Sequence, residues 1–558
     1  MTDGMSETCN IARRLQLAAR AAPDQDAVLQ PLGTDSSGKA NYARVSFKEL
    51  DRRSDRLARG LARMGVERGT KLVLFVPFSI EFIELTFALF KAGAIVVLID
   101  PGMGRSNIFR CLEEVEPDGF VAIPRVHAVR CLMRSRFRSA RLNVTVGRRW
   151  FWGGATYRSL KRAGDGQAEP MRAAATDPAA IIFTSGSTGP PKGVLYEHGM
   201  FDSQVDLIRD RYGIAPGEID LPGFPLFGLF NGAMQVTSII PEMDPTRPAD
   251  VDPEKIVRAI QDHNVTQAFG SPAFWNRVGR YCEQHEIELP TLRRALSAGG
   301  PVPGHVLERM SRVLTGEDAD LHTPYGATES LPVASISAGE VLATTAAETA
   351  RGAGTCVGTR FSGVDVKIIA ITDGVIDAIE EIRELPAGEI GEIIVRGPSV
   401  TREYFQRDAA TRLAKIPDGE TFWHRIGDVG YLDEQGRLWF CGRKAHIVQT
   451  ESGPMYSVRC EAILNEHPRI YRSALVGIGS KPRQRPVIVA EPESGQLPHD
   501  SADEEKLLQE LRNLAAGNPL TERIESFLLH ASLPVDTRHN VKINREVLGE
   551  WAAGQLQR

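Results

Sequence analysis

Nowhere does the sequence hold the roughly 20 consecutive apolar residues that a membrane-spanning helix needs. Its greasiest long stretch, Phe82 to Ile99, is interrupted by Glu84, Lys91 and Gly93, which fits a buried helix followed by a strand. Cysteine is scarce. The seven (9, 111, 131, 282, 356, 441 and 460) are odd in number and never spaced as CxxC. This points away from disulfides and zinc, toward reduced thiols in a cytoplasmic protein. An excess of positive charge is also missing. The formal net charge is −5, which argues against a nucleic-acid partner while leaving room for a local basic patch. Met1 to Glu7 lack the basic and apolar regions of a signal peptide. No segment repeats at a fixed period, and no low-complexity tract occurs. A chain of 558 residues is too long for one simple core, so two or more domains are expected.

What is present is organised around Thr184-Ser185-Gly186-Ser187-Thr188-Gly189-Pro190-Pro191-Lys192-Gly193. The apolar run Ala179 to Phe183 before it reads as a buried strand. Three glycines and four hydroxyl residues can curl the backbone so that several N–H groups face one anion. Lys192 adds a compact positive charge suited to a polyphosphate. A Walker-type loop needs glycine before the lysine and Ser or Thr after it, whereas Pro191 and Gly193 fill those places here. The stretch resembles instead the signature loop of the adenylate-forming (AMP-dependent synthetase and ligase) superfamily.

Around it the chain alternates. Ser46 with Glu49 forms a capping box ahead of a helical stripe at Leu50, Leu57, Leu61 and Met64. Lys71 to Val76 reads as a strand, Ser79 to Lys91 as a helix that Gly93 ends, and Ala94 to Ile99 as the next strand. That βαβ unit implies a parallel sheet. Later, Asp252-Pro253 opens a helix, Val265 to Phe269 is a strand, Phe274 to Glu283 a helix, and Leu292 to Ser297 a strand. Tyr431 to Phe440 forms a hairpin turning at Glu434 to Gly436. Beyond Gly442-Arg443-Lys444 the pattern becomes a compact α+β unit, with helices from Ser457 and Glu504 and strands at 473–478 and 486–490. The expected organisation is α/β: a large N-terminal domain, 1–443, with mixed and parallel sheets flanked by helices, and a small C-terminal α+β domain, 444–558.

Four further segments fit the resemblance in chain order. Ser297-Ala298-Gly299-Gly300-Pro301 ends a strand in a glycine turn, which the superfamily places against adenine. Tyr325-Gly326-Ala327-Thr328-Glu329 offers an aromatic, a hydroxyl for phosphate and a carboxylate for Mg²⁺; one glutamate suffices because phosphates complete the shell of that ion. Gly427-Asp428 matches the ribose-binding aspartate. Val541-Lys542-Ile543-Asn544-Arg545 resembles the Gly-Lys-Ile-x-Arg signature, whose lysine bridges the carboxylate substrate and the α-phosphate. The resemblance thus implies ATP and Mg²⁺, with Lys542, Arg443 and Glu329 as catalytic residues and a mobile C-terminal domain. Gly427-Asp428 alone reads as a turn and Lys542 alone as a surface charge; their joint occurrence carries the resemblance.

The chain departs from superfamily members that make CoA thioesters. The acidic hinge residue expected two positions after Arg443 is Ala445, followed by His446. Thr450 to Pro454 replaces a Gly-Gly loop, and Pro225-Leu226-Phe227-Gly228 lacks the usual histidine. Phe227 and Gly228 are placed at the acyl pocket, with Gly228 leaving room for a second alkyl branch. Asp244 to Pro248, Gly352 to Gly358 and Asp536 to Asn540 resemble the β-lactone synthetases of bacterial long-chain olefin biosynthesis. That resemblance implies a 2-alkyl-3-hydroxy fatty acid as substrate, its own hydroxyl displacing AMP, and association with other enzymes of olefin biosynthesis. A long-chain acyl-CoA ligase and a non-catalytic nucleotide-binding module remain the alternatives. His424, His446 and His539 are candidate bases only because imidazole titrates near neutrality.

Overall fold

The computed structural model describes residues 9–34, 40–162, 169–184, 190–535 and 542–557. A seven-stranded sheet runs, in spatial order, through Ala155–Thr156, Leu142–Thr145, Gly119–Ala122, Lys71–Phe75, Ile95–Ile99, Pro178–Thr184 and Lys192–Glu197. Every neighbouring pair is parallel except the last. The expected βαβ unit lies at its centre. Ser79 caps the helix Ile80–Lys91 by accepting from the Phe82 N–H at 3.2 Å. Gly93, at φ +72°, then turns the chain in a conformation that other residues enter with difficulty. The two charges that interrupt the apolar run prove to be internal. Glu84 is fully buried beside Arg53 (3.0 Å) and Lys161 (3.1 Å), and buried Lys91 reaches Asp51 and, at 2.6 Å, Asp55. Ser46 caps the helix Phe47–Arg63, whose Asp51 and Asp55 thereby pin it to Ile80–Lys91.

A fourteen-stranded sheet carries the rest of the large unit. Thr237–Ile239, Ile219–Pro222, Gln267–Gly270, Arg294–Ser297 and Asp320–Ala327 form a parallel run. Ser330–Ser337, Thr355–Arg360, Leu438–Arg443, Thr421–Leu432, Gly391–Arg396 and Asp365–Ile369 extend it antiparallel. The architecture is the α/β arrangement of mixed and parallel sheets flanked by helices. Asp252 caps Pro253–His263 as expected. The Tyr325–Glu329 stretch joins two long strands into a hairpin that sequence periodicity did not declare.

The large sheet ends at Arg443. A single turn, Lys444–His446, leads to the ribbon Val448–Thr450/Gly453–Met455, so Thr450 to Pro454 occupies a hairpin. Beyond it, Ile470–Ile478, Arg485–Pro492 and Ser526–Leu529 form a three-stranded sheet covered by Ser457–Leu464, Ser501–Ala516 and Arg545–Leu556. The helix expected from Glu504 starts three residues earlier, because Asp500 accepts from the Asp503 N–H at 2.8 Å and sets the cap there.

Candidate active site

Asp428 and Arg443 lie opposite each other in register on the antiparallel strands Thr421–Leu432 and Leu438–Arg443. Arg443 Nη1 stands 2.9 Å from Asp428 Oδ1. From the neighbouring hairpin, the Tyr325 hydroxyl donates to Asp428 Oδ2 at 2.6 Å. Burial pushes the Asp428 carboxyl up, and Arg443, the Tyr325 hydrogen bond and Lys542 pull it back. The Tyr325 phenol lies well above its ordinary range because it is buried beside that carboxylate. Asp428 raises Arg443 in turn. Among the described residues nothing donates a hydrogen bond to buried Asp428 Oδ1; the arginine approaches it as a charge without hydrogen-bonding geometry. That oxygen retains an acceptor site of the kind a ribose hydroxyl fits.

A second constellation holds Glu329. Its Oε1 accepts from the Tyr404 hydroxyl at 2.8 Å. Its backbone oxygen accepts from both Thr401 N–H (2.9 Å) and Thr401 Oγ1 (3.1 Å). Lys192 Nζ lies 4.7 Å from the centre of the Tyr404 ring, and Phe405 N–H donates to Gly193 O at 2.8 Å. Residues 400–405 therefore strap the strand Lys192–Glu197 to the Glu329 turn. Beneath them Lys415, almost fully buried, donates to Thr401 O; burial pushes its ammonium down to about 7, and the Glu329 charge opposes that. Thr401, Tyr404 and Lys415 were not anticipated. No local pattern announces them, since their role depends on pairing with a carboxylate some seventy residues or more away.

Thr184 ends its strand opposite Lys192; Ser185, Gly186, Ser187, Thr188 and Gly189 lie outside the described residues. Gly299, at φ +101°, turns the chain after Ser297. With Gly300, Pro301 and residues 325–329 it lines the same cavity as Asp428, Arg443 and Lys542. Lys542 is exposed just before the last helix. Arg545 fixes that segment by gripping Glu461 with two nitrogens, one at 2.9 Å. Asp536 to Val541, including His539, lie outside the described residues.

The histidines divide. His424 is buried on its strand with Nδ1 3.2 Å from Ala414 O, a structural position. His446 lines the cavity, but burial with Arg545 and Arg443 nearby pushes it down to about 3, so it is neutral and a poor proton acceptor near pH 7. Phe227 lines the cavity and stacks on Phe269 with ring centres 3.9 Å apart. The room expected at Gly228 is absent. A Cβ there would stand 2.6 Å from the Phe78 ring, so the missing side chain is replaced by an aromatic from the helix-capping loop.

The cavity is one continuous space of 2830 Å³. From its polar end it reaches Phe82, Phe87, Phe90, Phe201 and Phe230 on one face of the seven-stranded sheet. Around the strand ends it also reaches Ile108, Phe109, Val126, Met133 and Phe137 on the other face. Among the described residues no group of three or more His, Cys, Asp or Glu could hold a metal. Mg²⁺ bound mainly through phosphates asks for less, and the Glu329 carboxylate fits it.

A phosphate-type loop strand, a glycine turn, a buried acceptor and an arginine at the end of one long cavity define a nucleotide-dependent, adenylate-forming enzyme. The chain belongs to the AMP-binding enzyme family, whose model matches residues 15–405. It is 48% identical over 558 residues to the olefin beta-lactone synthetase of Xanthomonas campestris pv. campestris, covering 99% of both chains. To the olefin beta-lactone synthetase of Stenotrophomonas maltophilia it is 46% identical, over 99% of this chain and 100% of that one. Among solved structures, the anthranilate CoA ligase AuaEII in complex with anthranoyl-AMP matches with a TM-score of 0.79 at 18% identity, covering 98% of each chain. At that identity the likeness is one of fold.

Removing the arginine from the buried pair tests its electrostatics. Arg443→Met leaves Asp428 to be buried as an unpaired carboxylate or to take up a proton, so its folded-state pKa rises further above the unfolded value of about 3.9. The stability deficit should be small near pH 4 and grow toward pH 8, up to about 3–5 kcal/mol. Denaturation midpoints of variant and parent at both pH values check this; an equal deficit at the two would contradict it.

Proposed function

We propose that the protein activates a 2-alkyl-3-hydroxy fatty acid with ATP as an acyl-adenylate, and that the acid's own 3-hydroxyl then displaces AMP to close a β-lactone. The observation that carries this reading is the single cavity joining the Asp428, Arg443 and Lys542 end to long apolar arms. A fatty acid lying in the apolar part brings its carboxylate to the charged end. The name shared by both bacterial relatives supports the lactone as product.

In the first step a carboxylate oxygen bonds to the α-phosphorus and pyrophosphate leaves. Such transfers depend mainly on positioning and charge neutralisation. We assign Lys542 to the α-phosphate, Lys192 to the polyphosphate, and Asp428 with Arg443 to the ribose. Gly299, Gly300 and Pro301 offer close backbone approach to the base. Mg²⁺, held through Glu329, would supply further charge neutralisation. Tyr404 holds the Glu329 carboxylate and Thr401 its backbone oxygen, and Lys415 places a titratable charge behind them.

In the second step the 3-hydroxyl oxygen bonds to the acyl carbon as the bond to AMP breaks. An internal nucleophile can have an effective molarity on the order of 10⁵–10⁸ M, or about 7–11 kcal/mol of barrier, less the strain of the four-membered ring. CoA is then unnecessary, consistent with Ala445 where an acid would serve the hinge. We place that hinge at Arg443 to His446, with 1–443 and 444–558 as the two domains.

Lys542→Ala should lower pyrophosphate release by about 10²–10³-fold, comparable with losing one oxyanion donor. The fold should be unaffected, because the side chain is exposed. Rates within twofold of the parent would remove Lys542 from the chemistry. With a 2-alkyl-3-hydroxy acid, ATP and Mg²⁺ but no CoA, AMP and β-lactone should appear in equal amounts, and added CoA should alter neither. A matched acid lacking the 3-hydroxyl should release pyrophosphate yet turn over poorly. An acyl-CoA formed from both acids, with no lactone, would identify a thioester-forming ligase instead.

A further inference from the structure

The overall negative charge conceals a segment of opposite character. Between Asp118 and Asp165 there are ten arginines and one lysine, with no aspartate or glutamate. The helix Pro124–Leu132, the turns that follow it and the strand Leu142–Thr145 bring most of them to one edge of the seven-stranded sheet. Arg125, Arg134, Arg138, Arg141, Arg148 and Arg149 are exposed. Arg136 reaches Glu113 at 3.2 Å; none of those six has an acidic partner among the described residues. His127, the one other titratable base on the helix, is buried and pushed down by that burial, so it adds no charge.

The same segment carries large apolar side chains in solvent. Leu132 is 87% exposed, Phe151 83%, Trp150 55% and Val129 45%. Trp152 holds the aromatic loop beside the helix: its ring stacks on His127 with centres 5.7 Å apart, and its Nε1 donates to Thr145 Oγ1 at 3.0 Å. Trp150 and Phe151 pack against Trp152 with ring centres 5.2 and 5.5 Å away and stand exposed on the same segment.

The second arm of the cavity reaches this segment. Val126, Val129 and Met133 line it from the helix, and Arg125 and Arg130 flank it. Val129 is both cavity wall and exposed surface, so the wall of that arm forms part of the basic, apolar patch.

We propose that this face docks on an anionic phospholipid bilayer, so that long-chain acid passes from the membrane into the cavity. Clustered Arg and Lys are drawn to the anionic headgroup layer. Trp and Phe at their side favour the headgroup–acyl boundary. An apolar crest fully open to water is otherwise unfavourable on a soluble surface. Among the described residues no helix is long and apolar enough to cross a membrane, so the association is peripheral. A nucleic acid would satisfy the charge but would neither cover Leu132 and Phe151 nor use an apolar cavity wall beneath the patch.

The test is co-sedimentation of the purified full chain with vesicles of neutral phosphatidylcholine, and with vesicles containing about 30% phosphatidylglycerol, at moderate salt. No turnover is needed, so the outcome stands apart from the lactone reading. The parent should partition at least about tenfold more strongly onto the anionic vesicles. The triple variant Arg134→Glu, Arg138→Glu, Arg148→Glu should lose that preference. Leu132→Ser with Phe151→Ser should weaken binding severalfold while keeping the preference for anionic lipid. Both variants should adenylate a short, soluble acid at the parent's rate but fall behind on acid presented within anionic vesicles. Parent protein that stays in solution, binds both vesicle types equally, or is matched by both variants would overturn the proposal. So would displacement from the vesicles by an equivalent of duplex DNA, which would mark a nucleic-acid surface.

Discussion

The structure turns on one buried carboxylate. Asp428 is held away from water between two strands, and a charge there is tolerable only because Arg443 faces it across the ladder and Tyr325 hydrogen-bonds it. Each of the three comes from a different strand of the large sheet, so the pairing fixes the hairpin carrying Glu329 relative to the strand on which the chain leaves that sheet. Arg443 is also the last residue of its strand. The chain therefore leaves the large sheet from a residue already committed to the buried pair. The chain's neighbouring charges follow the same logic: Glu392 is almost fully buried, grips Arg425 with both oxygens and takes Lys444 at 3.2 Å. Breaking either pair would leave an uncompensated buried charge, which costs more than the intact pair contributes.

Much of the fold could be read locally. Ser79 and Gly93 delimit a helix because a hydroxyl can satisfy an orphan N–H and a glycine can turn the chain back; the parallel pairing of 71–75 with 95–99 then follows. Asp252-Pro253 and the turn at Glu434 to Gly436 were legible for similar reasons. The residues proposed for the nucleotide were legible as wording rather than as physics: Asp428 and Lys542 stood out only in company with the other motifs.

What was not legible depended on distant partners. Glu84 and Lys91 read as interruptions of an apolar run, and only the neighbouring helix, with Arg53, Asp51 and Asp55, shows why charge is admitted there. Gly228 announced a missing side chain but not the Phe78 ring that fills its place. Tyr404 and Lys415 acquire meaning through Glu329 and Thr401, contacts that no local period encodes. The arginine-rich edge was masked by averaging, since the acids elsewhere leave the whole chain negative.

The central claim is that the carboxylate, and not the hydroxyl, is the group activated by ATP. It is tested most directly by following oxygen. A 2-alkyl-3-hydroxy acid carrying oxygen-18 in both carboxylate positions should yield AMP with one labelled oxygen and a lactone labelled only at its carbonyl, the ring oxygen coming from the hydroxyl. Activation of the hydroxyl followed by carboxylate attack at the third carbon would instead leave AMP unlabelled and both labelled oxygens in the lactone. That result would contradict the account.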